Sequence, residues 1–212
     1  MAVLMGTAVI VPWGTDNGPR ERVWTKVRAL WELTGCDLIV AADPEFAARG
    51  RFSVSRAINN AVRLAPPEFD RFACFGADML PCAETVAWAA AELDREPWTL
   101  LFNRGIALSE EDTEQWLQGG RVDRSGAELF ASPCVGPIAF TRATFEKVGG
   151  FDERYEGWAY EDVDLWYRLQ RDAPRSEQPY PRAPLVQFWH PTEHHDLSRE
   201  NPNVRLFAET WG

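Results

Sequence analysis

Apolar runs and helical periodicities alternate along the first half of the chain. Residues 7–13, TAVIVPW, form a continuous apolar run ended by proline, as expected of a strand buried on both faces. A polar, glycine-rich turn, GTDNGPRE, leads into a stretch from about Arg22 to Thr34, where Val23, Val27, Leu30 and Trp31 recur at helical spacing. CDLIVAAD (36–43) predicts a second buried strand, and SRAINNAVRLA (55–65) a helix with Ile58, Val62 and Ala65 inward. FDRFACFGADMLP (69–81) is a third strand running into a loop at Asp78. The Ala-rich AETVAWAAAELD (83–94) reads as a helix and WTLLFN (98–103) as a fourth strand.

From 104 to 133 the pattern weakens into a polar, acidic segment with one short helix around Glu114 to Leu117, the character of a lid or binding loop. VGPIAFTR (135–142) restores strand character, and ATFEKVGGF is a short helix stopped by Gly149 and Gly150. A helix opens at Glu161 and runs to about Arg171. A proline-rich connection (172–184), a last strand PLVQFWH (184–190) and a polar tail ending in a short apolar helix follow. Strands alternating with helices predict an α/β fold with a mostly parallel central sheet flanked by helices. In such folds ligands bind beyond the carboxyl ends of the strands. With 212 residues, no internal repeat and no linker, residues 1–212 are expected to form a single domain.

Composition adds little to that picture and excludes some functions. The 45% hydrophobic and 25% charged fractions are those of an ordinary soluble globular protein. Ten tryptophans suit flat, partly polar ligands such as bases and sugars, and equally serve as core filling. A net charge of −10 disfavours a nucleic-acid polymer as partner, because phosphate neutralisation dominates that affinity. The apolar N-terminus has no basic leader and is too short for a membrane span. Cys36, Cys74, Cys82 and Cys134 show no C-x-x-C spacing and are expected to be reduced and buried. The expected location is the cytoplasm.

The chain has no G-x-G-x-x-G after its first strand, no P-loop and no G-x-S-x-G elbow, so dinucleotide oxidoreduction, P-loop phosphoryl transfer and α/β-hydrolase chemistry lack their motifs. Asp78 ends a buried strand, where a carboxylate suits either a hard divalent cation or a turn cap. All three histidines lie in HPTEHHD; His190 directly ends a strand and is best fixed, ahead of His194 and His195. GWAYEDVDLWYRL places Glu161, Asp162 and Asp164 at one helix start. At about 100° per residue, Glu161 and Asp164 are neighbours, and Asp164 pairs with Arg168. Complementing the helix dipole accounts for those two, leaving Asp162 as the candidate general base. Arg20, Arg22 and Arg56 stand beside strand-to-helix turns that favour anions, and Arg56 could clamp a diphosphate.

Taken in order, these segments resemble the metal-dependent GT-A (Rossmann-like) glycosyltransferases, in particular family 2 enzymes with a galactosyltransferase-type C-terminal motif. VGGFDERYEGWAYEDVDLWYRL is similar to that family's Gly-Phe-Asp…Gly-Trp-Gly…Glu-Asp-x-Asp-Leu…Arg-Leu block. CFGADMLP resembles its Asp-x-Asp segment, and IVPW with FSVSRAINNA its nucleotide-binding strand and helix. The resemblance implies that Asp78 binds Mn²⁺ or Mg²⁺ holding the donor diphosphate, with His190 or a neighbour such as His194 completing the metal site. It implies Asp162 as the base, Glu161 positioning acceptor or sugar, and Trp158 as a stacking wall. Pro12, Trp13, Phe52, Arg56 and Asn59 would line the nucleotide pocket, in a nucleotide-binding half 1–103 facing an acceptor-binding half 104–212. The chain departs from the pattern at Gly76, which replaces the first Asp of Asp-x-Asp, and at Tyr160, which replaces the Gly before Glu-Asp. Gly14 replaces an Arg, for which Arg20 or Arg22 can substitute.

The function these features imply is metal-dependent, inverting transfer of a sugar from a nucleoside-diphosphate donor, a UDP-sugar by family analogy, to a hydroxyl of a glycan, protein or other acceptor. Two alternatives are a sugar-nucleotide nucleotidyltransferase or hydrolase, and a degenerate domain that binds a nucleotide or glycan without turnover.

Overall fold

The computed structural model describes residues 5–15, 18–122, 128–130, 136–157, 159–177, 179–191 and 197–212. Trp158, His194, His195 and Cys134 lie outside the described residues. The chain runs β1 (Thr7–Pro12), α1 (Pro19–Thr34), β2 (Asp37–Ala41), α2 (Phe46–Arg49), α3 (Val54–Leu64), β3 (Arg71–Cys74), α4 (Ala83–Glu92) and β4 (Trp98–Leu100). It continues β5 (Gly105–Ala107), α5 (Glu110–Leu117), β6 (Glu128–Phe130), β7 (Ile138–Thr141), α6 (Arg142–Lys147), α7 (Glu161–Asp172), β8 (Leu185–Gln187) and α8 (Pro202–Trp211). Among the described residues no helix is long and apolar enough to cross a membrane.

A five-stranded sheet has the order β2-β1-β3-β7-β4, with β1 parallel to both β2 and β3, and β7 antiparallel to both β3 and β4. The apolar run of β1 explains its central place, since Ala8, Val9, Ile10 and Val11 are all fully buried. Strand geometry sends alternate residues to opposite faces. Ala8 and Ile10 join Phe72, Cys74 and Phe140 beneath α3, α6 and α7, whereas Val9 and Val11 join Ala73 and Phe75 beneath α1 and α4. β2 differs from the expected buried strand: it is the edge of the sheet, and most of its residues are only half-buried. The segment expected to be irregular holds a second sheet, β6-β5-β8, in which β5 is parallel to β8 and antiparallel to β6. Its strands have three residues each, too short for a period to register in the sequence.

One turn sets the course of the second half of the chain. After α6 the backbone passes through Gly149 (φ 80°) and Gly150 (φ 68°), both in the left-handed region that glycine adopts without steric cost. Asn59 of α3 clips this turn in both directions. Its Oδ1 accepts from the Phe151 N–H at 2.9 Å, and its Nδ2 donates to the Phe151 carbonyl at 2.9 Å. A Cβ added at Gly150 would lie 2.7 Å from Asn59 Oδ1 and 3.1 Å from the Phe145 ring, while one at Gly149 would meet nothing within 4 Å. Gly149→Ala is therefore expected to cost only the left-handed backbone penalty, about 1–2 kcal/mol. Gly150→Ala should cost that and the displacement of Asn59. Urea unfolding of the two variants measures the difference, and equal losses would refute the clip.

Candidate active site

Strand order places the crevice. β1 sits between β2 and β3, so the chain leaves β1 toward one side and returns past it to form β3, and the carboxyl ends of these strands share one edge. β7 runs the other way, with Ile138 paired to both Cys74 and Leu100. The residues just before β7 therefore emerge at the same edge as those just after β3 and β4. Asp78 follows β3, and the Gly136 N–H, just ahead of β7, reaches the Asp162 carboxylate. Two carboxylates distant in sequence thus come to one edge of the sheet.

Asp78 is buried, at 8% exposure. Its loop is zipped to β8 by backbone bonds, Phe188 N–H to the Asp78 carbonyl at 2.8 Å and Leu80 N–H to the Val186 carbonyl at 2.9 Å. This pairing brings Gln187, the last residue of β8, and His190, which lies beyond the strand and does not end it as expected, against the side chain. Gln187 Nε2 donates to Asp78 Oδ2 at 2.7 Å, and His190 Nε2 lies 3.3 Å from the same oxygen. Burial acts to raise the Asp78 pKa, but the bond and charge of His190, with Gln187 and Arg20, hold it below the ordinary value. The Asp78 carboxylate raises that of His190 against the opposing effect of burial. His190 Nδ1 faces the Pro191 carbonyl at 3.0 Å, so both ring nitrogens face oxygens and the imidazolium is favoured. The Arg20 guanidinium stacks over Trp13, 5.8 Å from the ring centroid, and its buried Nε has no hydrogen-bond partner.

At the start of α7, Ala159 (φ 100°) and Tyr160 (φ 68°) adopt left-handed conformations rare for side-chain-bearing residues. The turn aims Glu161 and Asp162 into a poorly solvated space. Burial pushes the Glu161 carboxyl up to about 8, helped by the Asp162 charge. Burial likewise pushes Asp162 up to about 6, against the opposing bonds from backbone N–H groups, including Val163 at 2.8 Å. Glu161 Oε2 is buried without a partner. Near neutral pH the pair thus holds one ionised carboxylate and one protonated acid side by side, poised to take one proton and to offer another. Asp164 is occupied elsewhere: its Oδ2 accepts from Arg168 at 2.6 and 2.9 Å, and its Oδ1 from Trp211 Nε1 at 2.9 Å.

Residues 122–190, which include the Gly149–Gly150 turn, Glu161, Asp162 and His190, match a family model described as the N-terminal domain of galactosyltransferase. No curated protein matches the sequence significantly. Among solved structures, the catalytic domain of Drosophila β1,4-galactosyltransferase 7 in complex with xylobiose aligns at TM-score 0.52 and 20% identity, covering 83% of this chain and 64% of that one. Glucosyl-3-phosphoglycerate synthase from Mycobacterium tuberculosis, in complex with Mn²⁺ and UDP-glucose, aligns at TM-score 0.54 and 15% identity, covering 97% of this chain and 77% of that one. S. aureus TarS in complex with UDP-GlcNAc aligns at TM-score 0.55 and 15% identity, covering 90% and 60%. The fold is that of the GT-A glycosyltransferases.

In this GT-A fold Pro12, Trp13, Arg20, Asp78 and His190 gather at or beyond the ends of β1, β3 and β8, and Glu161 with Asp162 at the start of α7. Two expectations are corrected. Arg56 is buried and bound to Asp43 through Nε and Nη2, each at 3.0 Å, and to Glu156 at 2.7 Å. With its other bond to the Arg51 carbonyl, the guanidinium is too fully engaged to clamp a diphosphate. Asn59 is committed to the Phe151 turn and to Glu153, so it does not line a nucleotide pocket. Phe52 fills the space beside Gly14, where a Cβ would meet its ring at 2.4 Å, and so it excludes the Arg that the family pattern places there. Asp43 and Gln187 were not singled out in the sequence. Asp43 had a signal, since it follows β2 as Asp78 follows β3. Among the described residues, no cluster of three or more His, Cys, Asp or Glu side chains could hold a metal by itself.

The Asp43–Arg56 pair is structural, and that is testable. Burial would raise the Asp43 carboxyl, but bonds from Arg56 and from the Glu45 and Ser53 N–H groups outweigh it and hold the pKa low. Its stabilisation is therefore complete above the ordinary value of 3.8 and is lost as pH falls below it toward the folded value. Arg56→Met should cost about 3 kcal/mol in urea unfolding at pH 7, the scale of a broken buried pair. The deficit should shrink below pH 3.8, where Asp43 of the unfolded chain becomes protonated while the folded carboxyl still resists it.

Proposed function

We propose that this chain is a metal-dependent, inverting glycosyltransferase that moves a sugar from a UDP-sugar to an acceptor hydroxyl. The observation that carries this reading is the placement, at one sheet edge, of the Asp78–His190 pair and the half-buried Glu161–Asp162 pair. Support also comes from structural neighbours described with manganese and UDP-Gal or with Mn²⁺ and UDP-Glc. Residues 1–103 would hold the nucleotide and 104–212 the acceptor.

Asp162 would accept the proton of the acceptor hydroxyl as its oxygen bonds to the anomeric carbon and the bond from that carbon to the diphosphate oxygen breaks. Protonated Glu161, through its unpartnered Oε2, would donate to a sugar oxygen and orient it. Arg20, with a free buried Nε beside Trp13, would bind diphosphate oxygens. Asp78 and His190 fit a divalent cation as one carboxylate and one imidazole donor, with the diphosphate and water supplying the remaining ligands. A Mn²⁺ or Mg²⁺ held there would stabilise charge on the departing diphosphate. Gly76 favours the second reading, a nucleotide- or glycan-binding domain without turnover, because it leaves one carboxylate in place of two.

Two measurements test the assignment. In calorimetry, UDP should bind with Mn²⁺ present and lose affinity with EDTA or in Asp78→Ala; metal-indifferent binding would favour the non-catalytic domain. In turnover, kcat/KM should rise with pH as Asp162 ionises around 6 and fall as Glu161 loses its proton around 8. Asp162→Asn should lower the rate by about 10²–10⁴-fold, the range for general-base catalysis. Full activity in a folded Asp162→Asn variant would sink the mechanism.

A further inference from the structure

The turn that aims Glu161 and Asp162 is held in an unfavourable conformation. Non-glycine residues with positive φ cost on the order of 1–3 kcal/mol each and persist only where the surroundings over-determine them. Ala159 and Tyr160 are two such residues in succession, directly before the pair. Tyr160 has no side-chain cap bond of its own at the helix start. What over-determines the turn comes from the other end of the chain.

Helix α8 grips the segment on both sides of the carboxylates. Asn203, 3% exposed, bonds both backbone groups of Glu156: its Oδ1 accepts from the N–H at 3.4 Å and its Nδ2 donates to the carbonyl at 3.1 Å. Phe207 stacks on the Tyr160 ring, with centroids 4.6 Å apart and planes 28° apart. Past the pair, Trp211 Nε1 donates to Asp164 Oδ1 at 2.9 Å, and Tyr167 packs edge-on against Phe207 at 5.5 Å. Arg171 lies over the Trp211 ring at 5.2 Å. These contacts fall at residues 156, 160, 164, 167 and 171, so α8 runs along the α7 face that starts beside the catalytic pair. Glu161 and Asp162 are bracketed by contacts to a helix far from them in sequence.

We propose that α8 is a brace that positions the Glu161–Asp162 pair, with Asn203, Phe207 and Trp211 as positioning residues. The proposal rests on the assignment of that pair above. It gives Tyr160, a departure from the family's glycine, a physical role: the aromatic ring that glycine lacks is the handle by which α8 holds the left-handed turn. Arg168 balances the charge of Asp164 and Trp211 satisfies its other oxygen, which holds this carboxylate away from the pair.

The test uses the full chain with Phe207→Leu, Asn203→Ala and Trp211→Phe, the last of which keeps an aromatic ring of smaller size and loses the indole N–H. Phe207→Tyr, which keeps the stack, is the conservative control. Carboxyl ¹³C NMR titration without substrate reads the environment of the pair directly. The brace predicts that both carboxyl titrations move down toward ordinary values in Phe207→Leu and Asn203→Ala, and stay at wild-type positions in Phe207→Tyr. In UDP-sugar turnover, kcat should fall by up to roughly 100-fold, the scale of a small misplacement of a catalytic group, with donor KM unchanged. Trp211→Phe should show the same split to a smaller degree. Folded variants that lose thermal stability but titrate as wild type would overturn the brace and leave α8 a purely stabilising element. Shifted titrations in a protein whose wild type transfers no sugar would support the brace and refute the transferase reading.

Discussion

The polar stitch between the first turns of α3 and residues 151–157 is the constraint on which the site depends. Asn59 holds Phe151, Ser53 Oγ donates to the Tyr155 carbonyl at 2.9 Å, the Gly157 N–H donates to the Phe52 carbonyl at 3.1 Å, and Arg56 holds Glu156. Buried polar groups left unbonded cost free energy, so a set this reciprocal has one register in which all are satisfied. Any slip of the loop would orphan several of them together. The start of α7 inherits its place from this stitch on one side and from α8 on the other.

Two aspartates at equivalent points, after β2 and after β3, show how one topology yields both a structural and a chemical site. Asp43 faces a guanidinium, which cannot lose its proton in a protein, so the pair is permanent. Asp78 faces an imidazole and an amide. An imidazole can give up a proton and turn a nitrogen lone pair to a cation, so the Asp78–His190 contact is exchangeable where Asp43–Arg56 is not. The same contrast separates Arg56, bonded on nearly every side, from Arg20, whose Nε is buried and unpaired.

Much of the architecture was legible because it rests on long patterns. The apolar run of β1 and the helical spacing of Val23, Val27 and Trp31 come from residues that face a single core on each side. β2 was misjudged because apolar composition cannot tell a central strand from an edge. The second sheet was invisible because its strands are short and pair with residues far along the chain, Gly105 with Leu185 among them. Asp78, His190 and Asp162, the residues of the proposed site, could be picked out because they follow strands or open a helix. Arg56 and Asn59 could not be sorted from them, since a binding arginine and a buried latch look alike until the partners Asp43 and Phe151 are known.

The departures from the family pattern bear on whether the site turns over substrate or only binds it. A decaying site would be expected to leave vacant volume where side chains were lost. At Gly14 the space is filled by the Phe52 ring, and at Gly76 a Cβ would meet Asp78 Oδ1 at 2.6 Å and the Met79 side chain at 3.0 Å. Asp78 and Met79 thus occupy the room that a second carboxylate would need. At Tyr160 a side chain is tolerated in a glycine conformation because Phe207 holds it. Each loss is matched by a neighbour that fits it, while the buried polar atoms left without partners beside the proposed chemistry are Arg20 Nε and Glu161 Oε2. Compensation in the packing, together with unpaired groups beside the proposed chemistry, fits the proposed transferase better than a decayed remnant.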